Sequence, residues 1–468
     1  MVMLVLNKRR ILGQLLDWFP RSRDDLVVVT ARPATSGLDP RLLRERLRHL
    51  EVVDDYDGAE TERLAARLCR AHGARLILTT SETDVVRAAH LRRRLGIPGQ
   101  DVASATAYRD KFAMKSIAAA AGIPVAPMRI VSTEGEAAEF AREHGFPIVV
   151  KLPAGKGSIG QSVLSGWPEL ARFAARLRAA AARGEPKRLL AEGWIDAHMY
   201  HVDGLMDGGR VLHCWPSRYL HSQWATMHDS APFISGMLPR GHEAFSRLRL
   251  RTAAVVAALP PPPGLHPFHA EFFQTGDGEI VLCEIACRVG GGRIVEAYQR
   301  AFGVNLYEAG LKGQAGRGGE IRASHTGERF GFASFAPLRG VLRDLPRTCP
   351  LPGVVAYSAT GVPGRAYPGA RSSTDEVASA LIRLCGDDLL AELRSVEDWW
   401  TGSARWDVAA QRADLCTRGR AGRAADPSTR GRAGPAADPC TRGGGSAAGL
   451  DEFRDRAGPA SQRRMRDR

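Results

Sequence analysis

The sequence predicts a protein of the α/β class, with α+β parts, built from about three domains and a tail of different composition. Besides the length of 468 residues, two patterns support this prediction. Over residues 1–106, short apolar runs alternate with segments of helical periodicity, as in βαβ units. Further along, apolar runs are separated by turns that contain glycine and aspartate, as in antiparallel hairpins.

Residues 1–106 are predicted to form a small open α/β domain. Its strands are predicted at residues 2–6, 26–30 and 75–79, and its helices at 40–50, 60–71 and 83–95. No G-x-G-x-x-G motif follows the first strand, so the sequence does not indicate a dinucleotide-binding domain.

Residues 107–310 are predicted to form the second domain, with helices at 111–121 and 134–144 and three hairpins. The hairpins are predicted to pair residues 146–152 with 160–165, residues 200–206 with 210–215 through an Asp207-Gly208 turn, and two strands within 269–286. Residues 311–405, β-rich and then helical, are predicted to form a smaller closing domain.

Residues 406–468 differ in kind from the rest of the chain. The pattern Asp-x-x-Thr-Arg recurs there with a period of 12 residues, starting at Asp414, Asp426 and Asp438, in a background of Gly, Ala, Arg and Pro. Such a composition buries too little apolar surface to order itself, so a disordered tail is predicted.

The charge distribution argues against a nucleic-acid-binding domain. The formal net charge is +14, and residues 411–468 hold 13 arginines against 7 acidic residues, so the excess is concentrated in the tail. No apolar run approaches the roughly 20 residues that span a bilayer. The eight cysteines form no C-x-x-C pair. A cytoplasmic protein without membrane contact is predicted, and its oligomeric state, a homodimer included, stays open.

Lysine is rare in this chain. There are seven lysines, and four of them lie between residues 111 and 156. In a chain that otherwise uses arginine, a lysine indicates a position that needs a compact ammonium group. For Lys115, chance placement on a short helix is an equally acceptable explanation.

A pair of glutamates is predicted in the third hairpin. A two-residue turn at Asp277-Gly278 places Glu271 directly opposite Glu284, because the turn fixes the register of both strands. Opposed side chains have Cβ atoms roughly 5 Å apart, and like charges there are destabilising. A bound Mg²⁺ would remove this conflict. In the alternative interpretation the register differs by one, and both side chains point to solvent.

A strand that ends at Lys151 leads into a glycine-rich loop. This loop offers backbone N–H groups at Gly155, Gly157, Ser158 and Gly160, and glycine allows such groups to approach a polyphosphate closely. The residue order is not that of the P-loop G-x-x-x-x-G-K-[ST]. Taken alone, the segment also fits a flexible surface hairpin.

Five segments occur in an order that resembles the ATP-grasp superfamily, and in particular its carboxylate-amine ligases of the L-amino acid ligase (dipeptide-forming) type. They are Arg109-Asp-Lys111, Ala121-Gly-Ile-Pro124, Val149-Val-Lys151 with its loop, Glu192-Gly-Trp-Ile195, and Glu271 with Glu284 and Arg288. The resemblance covers residues 1–400. It implies an ATP-grasp fold with an N-terminal pre-ATP-grasp domain, a central ATP-grasp domain, a small β-rich C-terminal domain and a disordered tail.

The resemblance also implies roles for individual residues in binding ATP, Mg²⁺ and the substrates. ATP contacts are implied for Lys111, Lys151, Gly155, Gly157, Ser158, Gly160, Glu192, Trp194 and Ile195, metal contacts for Glu271 and Glu284, and donor-carboxylate contacts for the catalytic residues Arg288 and Arg293. Within this set, the segment from Glu192 to Ile195 would contact adenine, and Trp194 would line the base pocket.

The implied function is that of an ATP-dependent ligase. It would activate a small carboxylate, such as an amino acid, as an acyl phosphate and couple it to an amine, with ADP and phosphate as products. The alternative is a nucleotide-binding protein of the same fold without turnover, whose basic tail contacts nucleic acid. Ala286 stands where a metal-binding Asn is usual, and Met199 where a ribose-binding Glu is usual. The number of metal ions, the ribose contact and the two substrates therefore stay open.

Overall fold

The computed structural model describes residues 1–155, 157, 160–182, 188–228, 230–370, 372 and 375–408. The chain divides into two units, residues 1–419 and 420–468. The second unit lies outside the described residues, and so does most of the predicted tail. In the described part of the chain, no helix is long and apolar enough to cross a membrane.

The strands belong to four sheets. In chain order they are β1 Met3–Asn7, β2 Leu26–Ala31, β3 His49–Val53, β4 Leu76–Thr79, β5 Met128–Val131, β6 Ile148–Lys151, β7 Ser162–Leu164, β8 Leu189–Gly193, β9 His198–Asp207, β10 Arg210–Tyr219, β11 Phe233–Met237, β12 Leu265–Gln274, β13 Ile280–Ala286, β14 Arg329–Phe335, β15 Arg339–Asp344, β16 Val354–Ala359, β17 Ala366–Pro368, β18 Ala378–Leu384 and β19 Arg405–Val408.

The helices cover the faces of these sheets. In chain order they are α1 Leu12–Trp18, α2 Ser22–Asp25, α3 Pro40–Arg46, α4 Ala59–His72, α5 Glu82–Leu95, α6 Val102–Ala107, α7 Lys111–Ala120, α8 Glu134–His144, α9 Trp167–Ala182, α10 Gln223–His228, α11 Glu243–Ala258, α12 Ile294–Phe302, α13 Leu306–Gln314 and α14 Leu389–Ser403.

The first sheet is parallel, with strand order β3-β2-β1-β4. Its central strands β1 and β2 are fully buried, as their continuous apolar runs predict. The helix predicted over residues 40–50 is wrong at its end, because α3 stops at Arg46 and His49 already belongs to β3. Strand β3 is only half-buried at the sheet edge, so it lacks the apolar run that would have identified it.

An antiparallel sheet of eight strands forms the largest core, in the order β13-β12-β9-β10-β11-β14-β18-β16. Strands from residues 107–310 and from residues 311–405 share this sheet, and the predicted boundary at residue 310 stays a prediction. The β9–β10 turn differs by one residue from the predicted Asp207-Gly208, since Asp207 pairs with Arg210. Gly208 and Gly209 both have positive φ, as a type I′ turn requires.

Two smaller sheets complete the described chain. The order β5-β8-β6-β7 gives an antiparallel sheet covered by α8 and α9, and β6 pairs with β7 as the first predicted hairpin requires. The order β17-β15-β19 gives a three-stranded sheet. Strand β19, Arg405–Val408, includes the first three residues of the predicted tail, and residues 409–468 lie outside the described residues.

Candidate active site

A cleft lies between the small sheet that contains β6 and β8 and the large sheet that contains β9, β12 and β13. Its empty volume, counted with the open mouth, is about 1060 Å³. Nine residues proposed from the sequence line it: Lys111, Lys151, Gly155, Gly157, Glu192, Trp194, Ile195, Glu271 and Glu284. Gly160 is exposed and is not part of the lining, and Ser158 lies outside the described residues.

The hairpin of β12 and β13 places Glu271 directly opposite Glu284, as predicted. The route to this register differs from the prediction. The loop is one residue longer than a two-residue turn, since Gln274 pairs with Ile280, and a bulge between β12 and β13 beyond Leu282 compensates for it. The bulge adds one residue to β13 and so restores the side-chain alternation that brings both carboxylates to one face.

The two glutamates differ in their surroundings. Glu271 is buried, and its Oε1 accepts hydrogen bonds from the Tyr219 hydroxyl at 3.0 Å and from the Gln223 amide, while His269 Nε2 lies 3.2 Å away. Glu284 Oε2 forms a 2.6 Å ion pair with Lys111 Nζ. Burial alone would raise the pKa of the Glu284 carboxyl, but Lys111 outweighs it and the pKa falls to about 2.

Lys111 also secures the start of the glycine loop. Its Nζ and the guanidinium of Arg109 both donate to the carbonyl oxygen of Gly155, each at 3.0 Å. The backbone N–H of Lys111 donates to the Pro153 carbonyl at 2.9 Å. The first turn of α7 and the loop after β6 are thus tied together at the edge of the cleft.

A buried Lys–Glu–Lys cluster forms the wall of the cleft. The two carboxylate oxygens of Glu192 each lie 2.6 Å from a lysine, Oε1 from Lys115 and Oε2 from Lys151. Lys115 is 1% exposed. Burial would raise the pKa of Glu192, but the two lysines lower it to about 2. Burial likewise opposes the charge on Lys151, yet Glu192 raises its pKa above the usual value.

The opposite end of the cleft is apolar and aromatic. Trp194 follows β8 and meets Trp224 edge to face, with ring centroids 6.3 Å apart. Met199 and Phe273 contribute further apolar surface. An apolar slot beside an exposed backbone segment suits a planar heterocycle, whereas the lysines and glutamates at the other end suit phosphates and a cation.

Behind Glu271 lies a hydrogen-bonded chain of buried polar side chains. Asp203 Oδ2 is 2.6 Å from His201 Nδ1, and its Oδ1 is 2.9 Å from His269 Nδ1. His201 Nε2 is 2.6 Å from the Ser235 hydroxyl. Burial would lower the pKa of His269, but Asp203 and Glu271 raise it to about 9. Although these three residues bring ligand atoms close enough for a metal ion, every ring nitrogen in the cluster already has a partner.

Arg288 lies outside this cleft lining, beside the N-terminal domain. Its Nε is 2.5 Å from Glu82 Oε2, and its Nη1 donates to the Val289 carbonyl at 2.9 Å. Burial would lower the pKa of Arg288, but Glu82 raises it, with smaller contributions from Glu284 and Glu271. Arg288 is therefore electrostatically coupled to both proposed metal-binding carboxylates, although its direct partner is Glu82.

Arg293 is placed differently from the substrate contact implied for it. It precedes α12, forms an ion pair with Glu296 and donates to the Ala356 carbonyl at 3.2 Å. The neighbouring Gly292 has φ +60°, and a Cβ atom there would lie 2.4 Å from the Phe332 ring. This segment packs closely on β14, and Arg293 holds that packing together.

Sequence reasoning gave no role to several residues of the site. Lys115 could have been found, because it is four residues after Lys111 and so shares its helix face. Glu82, Asp203, Tyr219 and Gln223 had no local signal, since their partners are distant in sequence.

The donor set fits Mg²⁺ and a nucleoside triphosphate. Within the described residues, the contacts to Glu271 all use Oε1, so Oε2 is available to a cation together with Glu284. Carboxylate oxygens supplemented by phosphate oxygens are the usual ligands of Mg²⁺. Lys111 and Lys151 add positive charge in the same cleft.

Comparison with known proteins agrees with this geometry. Residues 110–202 match the family described as "Carbamoyl-phosphate synthase L chain, ATP binding domain". The L-arginine-specific L-amino acid ligase of Bacillus subtilis is 25% identical over 309 residues, which cover 63% of this chain and 71% of the relative.

Solved structures show the same fold. An L-amino acid ligase from Bacillus licheniformis superposes with a TM-score of 0.64 at 17% identity, over 87% of this chain and 99% of that chain. The biotin carboxylase domain of Hydrogenobacter thermophilus 2-oxoglutarate carboxylase, a complex with MgADP and bicarbonate, gives 0.56 at 16% identity, over 82% and 86%. This chain therefore belongs to the ATP-grasp superfamily of ATP-dependent ligases, among which it resembles the L-amino acid ligases.

Proposed function

We propose that this chain activates the carboxylate of an amino acid or small acid as an acyl phosphate and couples it to an amine, releasing ADP and phosphate. The observation that carries the proposal is the opposed pair Glu271 and Glu284, which shares one cleft with Lys111 and Lys151. Such an arrangement neutralises and orients a polyphosphate, which is most of what phosphoryl transfer requires of a protein.

The cleft assigns each group a place on the nucleotide. The aromatic end with Trp194 and Trp224 would hold the base, the backbone of the segment that ends at Ile195 would bind its edge, and Lys151 would bind the phosphates. Lys151 is poised for this because Glu192 holds its ammonium in place. The start of the glycine loop, fixed through Gly155, would cover the phosphates.

ATP and Mg²⁺ are the cofactors of the proposed reaction. Bound Mg²⁺ supplies positive charge between the phosphate oxygens, and Glu271 and Glu284 would hold it. Three donors already orient Glu271 through Oε1. Lys111, paired with Glu284, can exchange part of that contact for a phosphate oxygen when nucleotide enters.

Two steps follow in the proposed reaction. A carboxylate oxygen of the donor attacks the γ-phosphorus, and the bond to the β-phosphate bridging oxygen breaks to release ADP. The neutral amine then attacks the acyl carbon, phosphate departs and the amine loses a proton. Arg288 would hold the anionic donor beside the γ-phosphate, because two anions approach each other only if a cation lies between them.

Hydroxylamine as a surrogate amine tests this proposal. The protein is supplied with Mg-ATP, hydroxylamine and a panel of carboxylic and amino acids, and acyl hydroxamate and nucleotide products are measured. We expect hydroxamate together with ADP. Formation of AMP and pyrophosphate would show adenylation and overturn the acyl phosphate. Nucleotide binding without turnover on any acid would favour the alternative, a binding protein of the same fold.

A further inference from the structure

Glu82 brings a carboxylate from the N-terminal domain to the edge of the active site. It is the first residue of α5, and its side chain is 13% exposed. Its two oxygens face two different arginines, with Oε2 2.5 Å from Arg288 Nε and Oε1 3.6 Å from Arg109 Nε. Burial would raise the pKa of Glu82, but these two arginines lower it, so the group is ionised at neutral pH.

This arrangement is unfavourable for a donor that carries only a negative charge. The carboxylates of Glu82, Glu271 and Glu284 all act on Arg288, and like charges repel in a site of low dielectric. Arg288 is also partly committed, since its described contacts use Nε and Nη1 and leave Nη2 for a ligand. A simple anion would therefore compete with Glu82 for the same guanidinium.

A zwitterion meets this surface without that conflict. Its carboxylate can approach Arg288 while its ammonium group approaches Glu82, whose Oε1 contact with Arg109 is long enough to leave room for a second donor. We propose that Glu82 is a specificity-determining residue that binds the ammonium group of an α-amino acid donor. The inference rests on the proposed function, because it assumes that the donor carboxylate is held beside Arg288.

The competing explanation is that Glu82 only positions Arg288. Both explanations expect Glu82→Gln to lower activity, so the size of the loss does not separate them. They differ in selectivity. A positioning residue affects all donors alike, whereas a group that binds ammonium affects only donors that have one.

The test compares amino acids with matched acids that lack the amino group, such as alanine with propionate and leucine with 4-methylpentanoate. For each pair, kcat/KM for hydroxamate formation is measured in the wild type and in Glu82→Gln. The wild type should prefer the amino acid by roughly 10- to 100-fold, the range for a charge-assisted hydrogen bond. Glu82→Gln should reduce that preference toward one, and Glu45→Gln, an exposed carboxylate of the same domain, should retain it.

Equal losses for both members of each pair, or no preference in the wild type, would overturn the proposal. Calorimetric titration of the same acids in the presence of MgADP gives a readout that does not need turnover. If no acid yields hydroxamate but alanine still binds more tightly than propionate, and only in the presence of Glu82, the proposed reaction fails and the ammonium contact stands. If Glu82→Gln does not fold, Glu82→Asp should bind alanine more weakly but keep the preference, and a lost preference there counts against the proposal.

Discussion

The phosphate end and the donor end of this active site differ in how their residues are placed. At the phosphate end, Lys151, Glu271 and Glu284 lie where strand ends and hairpin register put them. At the donor end, Arg288 is held by Glu82, 206 residues away in sequence. The comparison teaches that local geometry determines the part of the site that binds the constant cofactor. Long-range contacts with the N-terminal domain determine the part that meets the variable substrate.

The largest effect is expected from the buried cluster at the phosphate end. Lys115→Met removes one of the two cations that neutralise Glu192 at 2.6 Å. Breaking a buried ion pair by removing one partner typically costs roughly 3 to 5 kcal/mol. We expect a clear fall in the denaturation midpoint, measured by urea unfolding, together with weaker ATP binding measured by calorimetry.

The exposed pair of Arg67 with Glu60 is the matched control for Lys115. Arg67 is 61% exposed in its side chain, and exposed pairs contribute little to stability. Arg67→Met should leave both the midpoint and ATP binding nearly unchanged. If Lys115→Met unfolds like Arg67→Met, then Lys151 alone suffices to neutralise Glu192, and the phosphate end is less tightly built than the geometry indicates.

The two arginines of the donor end provide the next comparison. Arg288→Ala should lower kcat by roughly 100- to 1,000-fold while ATP still binds, the usual range for losing a group that stabilises charge in the transition state. Arg293→Ala should affect the melting temperature more than kcat, because its partners are Glu296 and the Ala356 carbonyl. Steady-state kinetics and thermal unfolding of both variants decide this. Equal losses of kcat would restore Arg293 to a substrate contact.

The sequence predicted the elements of the site better than their partners. The Glu271–Glu284 pairing was predicted although the turn was placed one residue off, because the bulge compensated for the longer loop. Alternation along a strand is a strong constraint, since a one-residue slip would move a buried carboxylate to the other face. The partners of Arg288 and Glu192 could not be derived in this way. Whether an arginine meets a substrate or Glu82 depends on the packing of α5 against β13, which no local pattern encodes.

The smallest effect is expected at the C-terminal boundary of the fold. Strand β19 pairs with β15, with Trp406 opposite Leu342 and in edge-to-face contact with the Tyr367 ring at 5.6 Å. A chain that ends at Val408 keeps these contacts and should match the full chain in melting temperature and ligase activity. A chain that ends at Ala404 loses β19 and exposes the edge of β15, so it should melt at a lower temperature while both metal-binding glutamates remain in place. Because the two chains differ by only four residues, loss of activity in the longer one would show that residues 409–468 act on the substrate or on the closing of the cleft. Equal melting of the two would mean that β19 contributes nothing to the fold.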